Sequence, residues 1–385
     1  MKRLLSLIAL CCALHLSAQE ALWWKTPTTS PEINENRTVT FRLKAPYAKK
    51  VEVTGDFLPE GNAEMRKVQP DLWEYTTPFP LRADLYSYAF IMDGVRITDP
   101  SNVYVTRDVV TMNNIFIVDG PRSKVYQELD VPHGTVSKIW YPCDQLQRMR
   151  RLTVYTPAGY SENGTTRYPV LYLLHGMGGD EEAWITLGRV AQIMDNLITM
   201  GKAKPMIVVM PNGNMDQVAA PGYGPDGNIV PTIELPRTCD GTYEQSFPNL
   251  VRYIDRTYRT IPRKNSRAIA GLSMGGFHTM MISKEYPDLF DYVGLFSASV
   301  RKNVDGVYSP VYERFHDKLR TQFAKRPALY WIAIGKEDFL YPANVEFCEL
   351  LDRNRHRHEF LETEGGHIWK NWRFYLKEFA QKIFK

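Results

Sequence analysis

Four unbroken apolar runs constrain the second part of this chain more than any other feature. They are "YPVLYLLHG" (168–176), "KPMIVVMPNG" (204–213), "SRAIAG" (266–271) and "ALYWIAIG" (328–335), and each ends in glycine. A strand with one wet face alternates apolar and polar residues, whereas a continuous run has both faces hidden, as in a parallel sheet covered on both sides. Helical patterns lie between the runs, for example "FPNLVRYIDRTY" (247–258) and "FHTMMISKEY" (277–286), the latter stopped by Pro287. A further strand, "RRLTVYTP" (150–157), opens the series. Strands alternating with helices predict a doubly wound, mostly parallel α/β sheet. In such sheets the chemistry sits at the carboxyl ends of the strands.

The first part follows a different pattern. In "TVTFRL" (38–43), Val39, Phe41 and Leu43 fall on one side, and in "DLYSYAFIM" (84–92) Tyr86, Tyr88 and Phe90 do the same. Period-two alternation between the turn signals "PEGN", "MDG" and "DPSN" predicts short half-buried strands, and hence a small β-sandwich over residues 28–120. Residues 121–136, polar and broken by Pro121 and Pro132, read as a linker, and the α/β domain occupies 137–385. Two domains suit a chain of 385 residues.

The N-terminus pairs Lys2 and Arg3 with the apolar run Leu4–Leu14 and a Ser17-Ala18 exit. That pattern predicts a secretory signal peptide over residues 1–18, cut after Ala18, and a secreted or periplasmic protein with no membrane span. Cleavage removes two basic residues from a chain whose net charge is +4, and a nearly neutral chain argues against nucleic acid as a partner. Cys143, Cys239 and Cys348 then remain, an odd number at spacings unlike a zinc site, and buried free thiols are expected of them. Oligomeric state leaves no trace in the sequence.

Gly271-Leu272-Ser273-Met274-Gly275 follows one apolar run and precedes a helical pattern. A sharp strand-to-helix turn admits only small neighbours around its central residue and lifts that residue's hydroxyl clear of the sheet, at a helix N-terminus whose N–H groups can bind a developing anion. Ser273 is the expected nucleophile. Its base should come last in the chain, after an acid. His356 and His358 lie in the basic stretch "RNRHRHE", expected to be solvated, whereas His367 follows Gly365-Gly366 in a loop able to return over the sheet. His367 is the expected base. The acid follows "ALYWIAIG": Asp338 fits best, with Glu337 as the alternative. Oxyanion donors are expected from the N–H groups of Met274, after the nucleophile, and Met177, in "HGMGGDEEAW". This machinery cleaves an ester without a metal or other cofactor.

Together, "YLLHGMGGDEEAW", "GLSMGG", "IGKEDF" and "GGHIWKNW" resemble carbohydrate esterase family 1, the esterase-D-like branch of α/β-hydrolases, over nearly all of the second part. The resemblance implies the roles just given to Ser273, His367 and Asp338. It also implies cleavage of acyl esters on plant cell-wall polysaccharide, chiefly ferulate on arabinoxylan, with acetylated xylan as the alternative substrate. The stretch "LWEYTTPFPLRADLYSYAFIMDGVRITDPSN" (72–102) is similar to the early-set, immunoglobulin-like modules that precede such esterases, close to carbohydrate-binding module family 48. No tryptophan follows "GDF" (55–57) as a sugar platform, and Trp73 reads as core rather than as that platform.

The Gly- and Pro-rich segment 217–245 follows a strand end and is expected to overhang the site. Tyr223, Trp184 and Trp369 are candidates for an aromatic slot, although each taken singly reads as packing. One rival reading is a siderophore esterase of the enterochelin type, but acids outnumber Arg237 in the overhanging segment. Another is a polysaccharide-binding protein with an inert hydrolase half, which the intact serine, acid and histidine positions oppose.

Overall fold

The computed structural model describes residues 28–161, 164–225, 235–302 and 306–385. The expected signal peptide lies outside these residues, as do 226–234 of the segment expected to overhang the site. The chain forms two compact units. One runs to Arg82 and takes in Tyr88–Tyr104, and the other comprises Ala83–Ser87 and Val105–Lys385.

The smaller unit is almost entirely β. Its strands are β1 (Glu32–Ile33), β2 (Val39–Lys44), β3 (Val51–Gly55), β4 (Asn62–Glu64), β5 (Arg66–Gln69), β6 (Leu72–Thr76), most of β7 (Leu85–Met92) and β8 (Val95–Ile97). β1-β2-β6-β5 form one antiparallel sheet. β3 pairs antiparallel with β4 and β7, and β7 with β8. The predicted alternation is realised, since Val39, Phe41 and Leu43 are buried. Phe41 meets Phe57 and Tyr88 at ring separations of 5.2 and 4.8 Å, so the core of this unit is aromatic. Trp73 is buried with its indole N–H donated to the Ala45 carbonyl, which makes it core and not a sugar platform.

The larger unit adds a hairpin, β9 (Val105–Asp108) and β10 (Thr111–Ile117), and an eight-stranded sheet. The sheet's strands are β11 (Thr135–Cys143), β12 (Arg148–Thr156), β13 (Val170–Leu174), β14 (Ile207–Pro211), β15 (Arg267–Leu272), β16 (Tyr292–Phe296), β17 (Leu329–Gly335) and β18 (Glu359–Thr363). Their order is β11-β12-β14-β13-β15-β16-β17-β18, parallel from β14 to β18, with β11 and β12 antiparallel at one edge.

The unbroken runs are explained by two cores, one on each face. Val170, Tyr172 and Leu174 of β13 enter one core with Ile207 and Val209 of β14, beneath the helices Thr242–Thr257 and Met274–Glu285. Leu171 and Leu173 enter the other with Val208 and Met210, beneath the helices Val190–Thr199 and Trp369–Ala380. Each such side chain taken from water contributes about 1.5–3 kcal/mol. The connector is anchored too: Arg189 and Asn196 donate to the carbonyls of Tyr126 and Val125. All three cysteines of the described residues are free, Cys143 and Cys348 buried and Cys239 half-buried. No helix among the described residues is long and apolar enough to cross a membrane.

From β13 the chain goes to β14 on one side and returns to β15 on the other. The crevice left by such a reversal is where α/β sheets bind their ligands. Both loops of interest, after β13 and after β15, leave from it.

Candidate active site

Ser273 caps the helix Met274–Glu285 with φ 54° and ψ −115°, a conformation costly for any residue with a Cβ. Three backbone bonds hold it there. Its N–H donates to Phe296, and its carbonyl accepts from Phe277 and Ser299. The flanking glycines are a steric necessity. A Cβ on Gly271 would lie 2.4 Å from the Gly275 carbonyl, and one on Gly275 would lie 2.5 Å from the carbonyl oxygens of Leu174 and His175. The elbow thus rests directly on the end of β13. Gly176, the second residue after β13, faces the Ser273 side chain, where a Cβ would sit 3.4 Å from Ser273 Cβ.

Asp338 and His367 leave the ends of β17 and β18. Asp338 Oδ2 lies 2.8 Å from His367 Nδ1, and Asp338 Oδ1 accepts the Leu340 N–H. A carboxylate only accepts, so Nδ1 carries the proton and Nε2 presents a lone pair. The Asp338 side chain is fully buried and that of His367 is 19% exposed. Burial pushes the Asp338 carboxyl up, but the hydrogen bonds from His367 and Leu340 outweigh it and hold the group below the ordinary carboxylate range. The two loops touch, since a Cβ on Gly335 would lie 1.8 Å from the Gly365 carbonyl oxygen. Asn371 pins the histidine loop by donating to the carbonyls of Glu364 and Gly366.

Glu337, the other acid considered, is exposed, and the bond to His367 comes from Asp338. His356 and His358 are half-buried, where the sequence suggested solvation. His356 lies flat on Phe323 at 4.3 Å, because the strand β18 that follows draws this stretch onto the domain.

Met274 is the first helical residue after Ser273, where N–H groups lack intrahelical acceptors. Met177 lies in the tight turn closed by the bond from Gly179 N–H to the Gly176 carbonyl. Two buried groups that sequence reasoning passed over hold this turn. His175 accepts the Gly213 N–H on Nε2 and donates from Nδ1 to the Gly176 carbonyl, and burial lowers it to about 4, so it stays neutral. Glu181 accepts from the Ala220 N–H and the Asn212 amide; burial, then the charge of Asp180, raises it to about 7. Neither residue stands in a local pattern that would reveal its role.

The aromatic candidates part company. Trp184 is 1% exposed and donates its indole N–H to the Leu174 carbonyl, so it has no face for a ligand. Its apolar bulk is needed under the sheet, where it meets Phe296 and Trp369 edge-on. Trp369 is half-buried between Trp184 and Trp372, and Trp372 in turn meets the His367 ring edge-on at 4.8 Å. Tyr223 is exposed, but its ring covers Arg151 and Lys138 at the antiparallel edge of the sheet. A residue not foreseen, Phe339, is largely exposed and lies 4.7 Å from the His367 ring.

A strand-elbow-helix serine, a histidine-carboxylate pair and a parallel sheet with reversed strand order define the α/β-hydrolase class. The "Putative esterase" family model matches residues 144–383, and the chain belongs to that family. It is 31% identical over 360 residues to an endo-1,4-beta-xylanase/feruloyl esterase of Xylanibacter ruminicola, an alignment covering 92% of this chain and 46% of that protein. The chain thus spans about half the length of these curated relatives. Among solved structures, a ferulic acid esterase from Anaeromyces mucronatus superposes with a TM-score of 0.53 at 26% identity, over 68% of this chain and 95% of that one. The enterobactin esterase of Shigella flexneri shares the fold, with a TM-score of 0.64 at 17% identity over 89% of this chain and 92% of that one.

Proposed function

We propose that this protein is a secreted serine esterase that removes ester-linked acyl groups, chiefly ferulate, from plant cell-wall xylan. The observation that carries the reading is the His367–Asp338 pair, on strands that run parallel to the one ending in the strained Ser273. The likeness to a xylanase/feruloyl esterase and to a ferulic acid esterase supports the acyl group and the polymer.

In this reading His367 Nε2 takes the Ser273 hydroxyl proton as Oγ attacks the ester carbonyl carbon. The oxygen becomes an anion held by the N–H groups of Met274 and Met177, donors worth roughly 10²–10³ each in rate. The intermediate collapses, the C–O bond to the sugar breaks, and the imidazolium gives its proton to the departing sugar hydroxyl. Water then repeats the attack with His367 as base and releases the free acid. Asp338 holds the imidazole in the required tautomer throughout. The exposed Phe339 beside His367 offers an aromatic edge to a cinnamoyl ring, a feature an acetyl group would not use. The N-terminal β unit serves as an immunoglobulin-like packing module in this view, because Trp73 is spent in its core.

Hydrolysis of methyl ferulate, acetylated xylan and an enterochelin-type trilactone by the purified protein tests the reading. Release of ferulate with the highest kcat/KM is expected. Preference for acetylated xylan or for the trilactone refutes the acyl assignment, and failure of a fluorophosphonate to label Ser273 refutes the mechanism.

A further inference from the structure

The hairpin β9–β10 touches one loop of the site. Arg107 Nη2 lies 2.5 Å from Asp180 Oδ2, an acid 3% exposed in the loop that carries Met177. The same guanidinium donates to the Val109 carbonyl, tying the turn of the hairpin to that acid. Asp180 is fixed from its other side, since Oδ1 accepts the Glu182 N–H.

Val109 is the unusual member. Thr111 pairs with Asp108, so Val109 and Val110 make a two-residue hairpin turn, a place that favours Gly, Asn or Asp. Val109 has φ 53°, which a β-branched side chain adopts only under strain. Its methyl groups pack on Gly178, also left-handed at φ +76°, where an added Cβ would lie 2.7 Å from Val109 Cγ1. Gly178 adjoins Met177. A turn built for stability alone would place glycine at 109, and the valine is explained by what it presses against.

We propose that this hairpin is a positioning clamp for the esterase reaction. Arg107 through Asp180, and Val109 through Gly178, hold the Met177 N–H in register with the developing oxyanion. Neither Arg107 nor Val109 is a catalytic residue, because each acts through another. The proposal rests on the serine-esterase reading above and extends it to residues about 70 positions before the oxyanion loop.

The test compares wild type with Val109→Gly, Arg107→Ala and Arg107→Lys in the full mature chain, using p-nitrophenyl acetate and methyl ferulate. An interaction made only in the transition state lowers kcat and kcat/KM equally and leaves KM alone. Val109→Gly relieves the strained φ, so its Tm should hold or rise while kcat falls about 10-fold. Arg107→Ala should lower kcat about 10–100-fold, less than the roughly 10²–10³-fold cost of a donor removed outright, with KM within about twofold. Arg107→Lys should recover part of that loss. Unchanged kcat in folded Val109→Gly and Arg107→Ala overturns the proposal, and so does a rise in KM at constant kcat, which would make the hairpin a substrate contact. Wild type serves as the separate control: if it neither turns over esters nor takes a fluorophosphonate on Ser273, the underlying reading fails, and the clamp with it.

Discussion

Asp338 Oδ2 and His367 Nδ1 are 2.8 Å apart, with the carboxylate buried and the ring partly open to solvent. The pair therefore has one defined proton, on Nδ1, and one free base, on Nε2. Asp338→Asn should favour the wrong tautomer and lower kcat by roughly 10³–10⁴. Glu337→Gln should leave kcat within about threefold. Steady-state kinetics on methyl ferulate checks both.

The same carboxyl predicts an acid limit. A group whose pKa is depressed on folding contributes stability at pH above its unfolded value, and that contribution is lost as pH falls through its folded value. Asp338 is held below the ordinary range, so its share of stability should be present at neutral pH and disappear only below about pH 4. Urea unfolding of wild type and Asp338→Asn should give a stability difference that narrows below that pH.

Glu181 has the opposite sign. Burial raises it to about 7 from 4.5, so the folded state holds its proton where the unfolded chain has lost it. Its contribution is fully present below the unfolded value and is lost as pH rises to about 7. Glu181→Gln should gain on wild type between pH 5 and pH 8, by up to about 3 kcal/mol. Denaturant unfolding at the two pH values measures it.

Ser273 sits at φ 54° and ψ −115°, a backbone that suits glycine alone. Ser273→Ala should abolish turnover with little change in Tm. Ser273→Gly should be equally inactive but more stable than the alanine variant, by about 1 kcal/mol. Calorimetry of the two proteins decides the point.

Trp184 lies under the sheet and donates to Leu174. Trp184→Phe should cost about 1–3 kcal/mol of stability, because it strands a buried carbonyl, while leaving the KM for methyl ferulate unchanged. A large rise in KM would return Trp184 to the ligand.

What was legible in the sequence follows from how far each signal travels along the chain. β13 to β17 announced themselves because a strand hidden on both faces must be apolar at every position, as Val170–Leu174 are. The sharp turn at Ser273 was legible because Gly271 and Gly275 flank it in sequence, although the contacts that force Gly275 come from Leu174 and His175 of a distant strand end. His367 was reached through its own Gly-Gly loop. Trp184 was left open between packing and an aromatic slot because its burial depends on Phe296 and Trp369, more than 100 residues away, and no local pattern distinguishes a core indole from a platform. Arg107 and Val109 were invisible for the same reason, although two adjacent valines at a hairpin turn were a clue. His175 and Glu181 read as ordinary loop residues until their partners Gly213 and Ala220 folded beside them.

Leu174 and Gly271 are partners in one parallel ladder, though nearly a hundred residues separate them along the chain. The loop and the turn that leave from either side of that seam are locked to each other by the sheet, whatever the intervening chain does. Lengthening or rewriting the excursion between β14 and β15 should therefore leave the loop after β13 and the turn at Ser273 in place relative to each other.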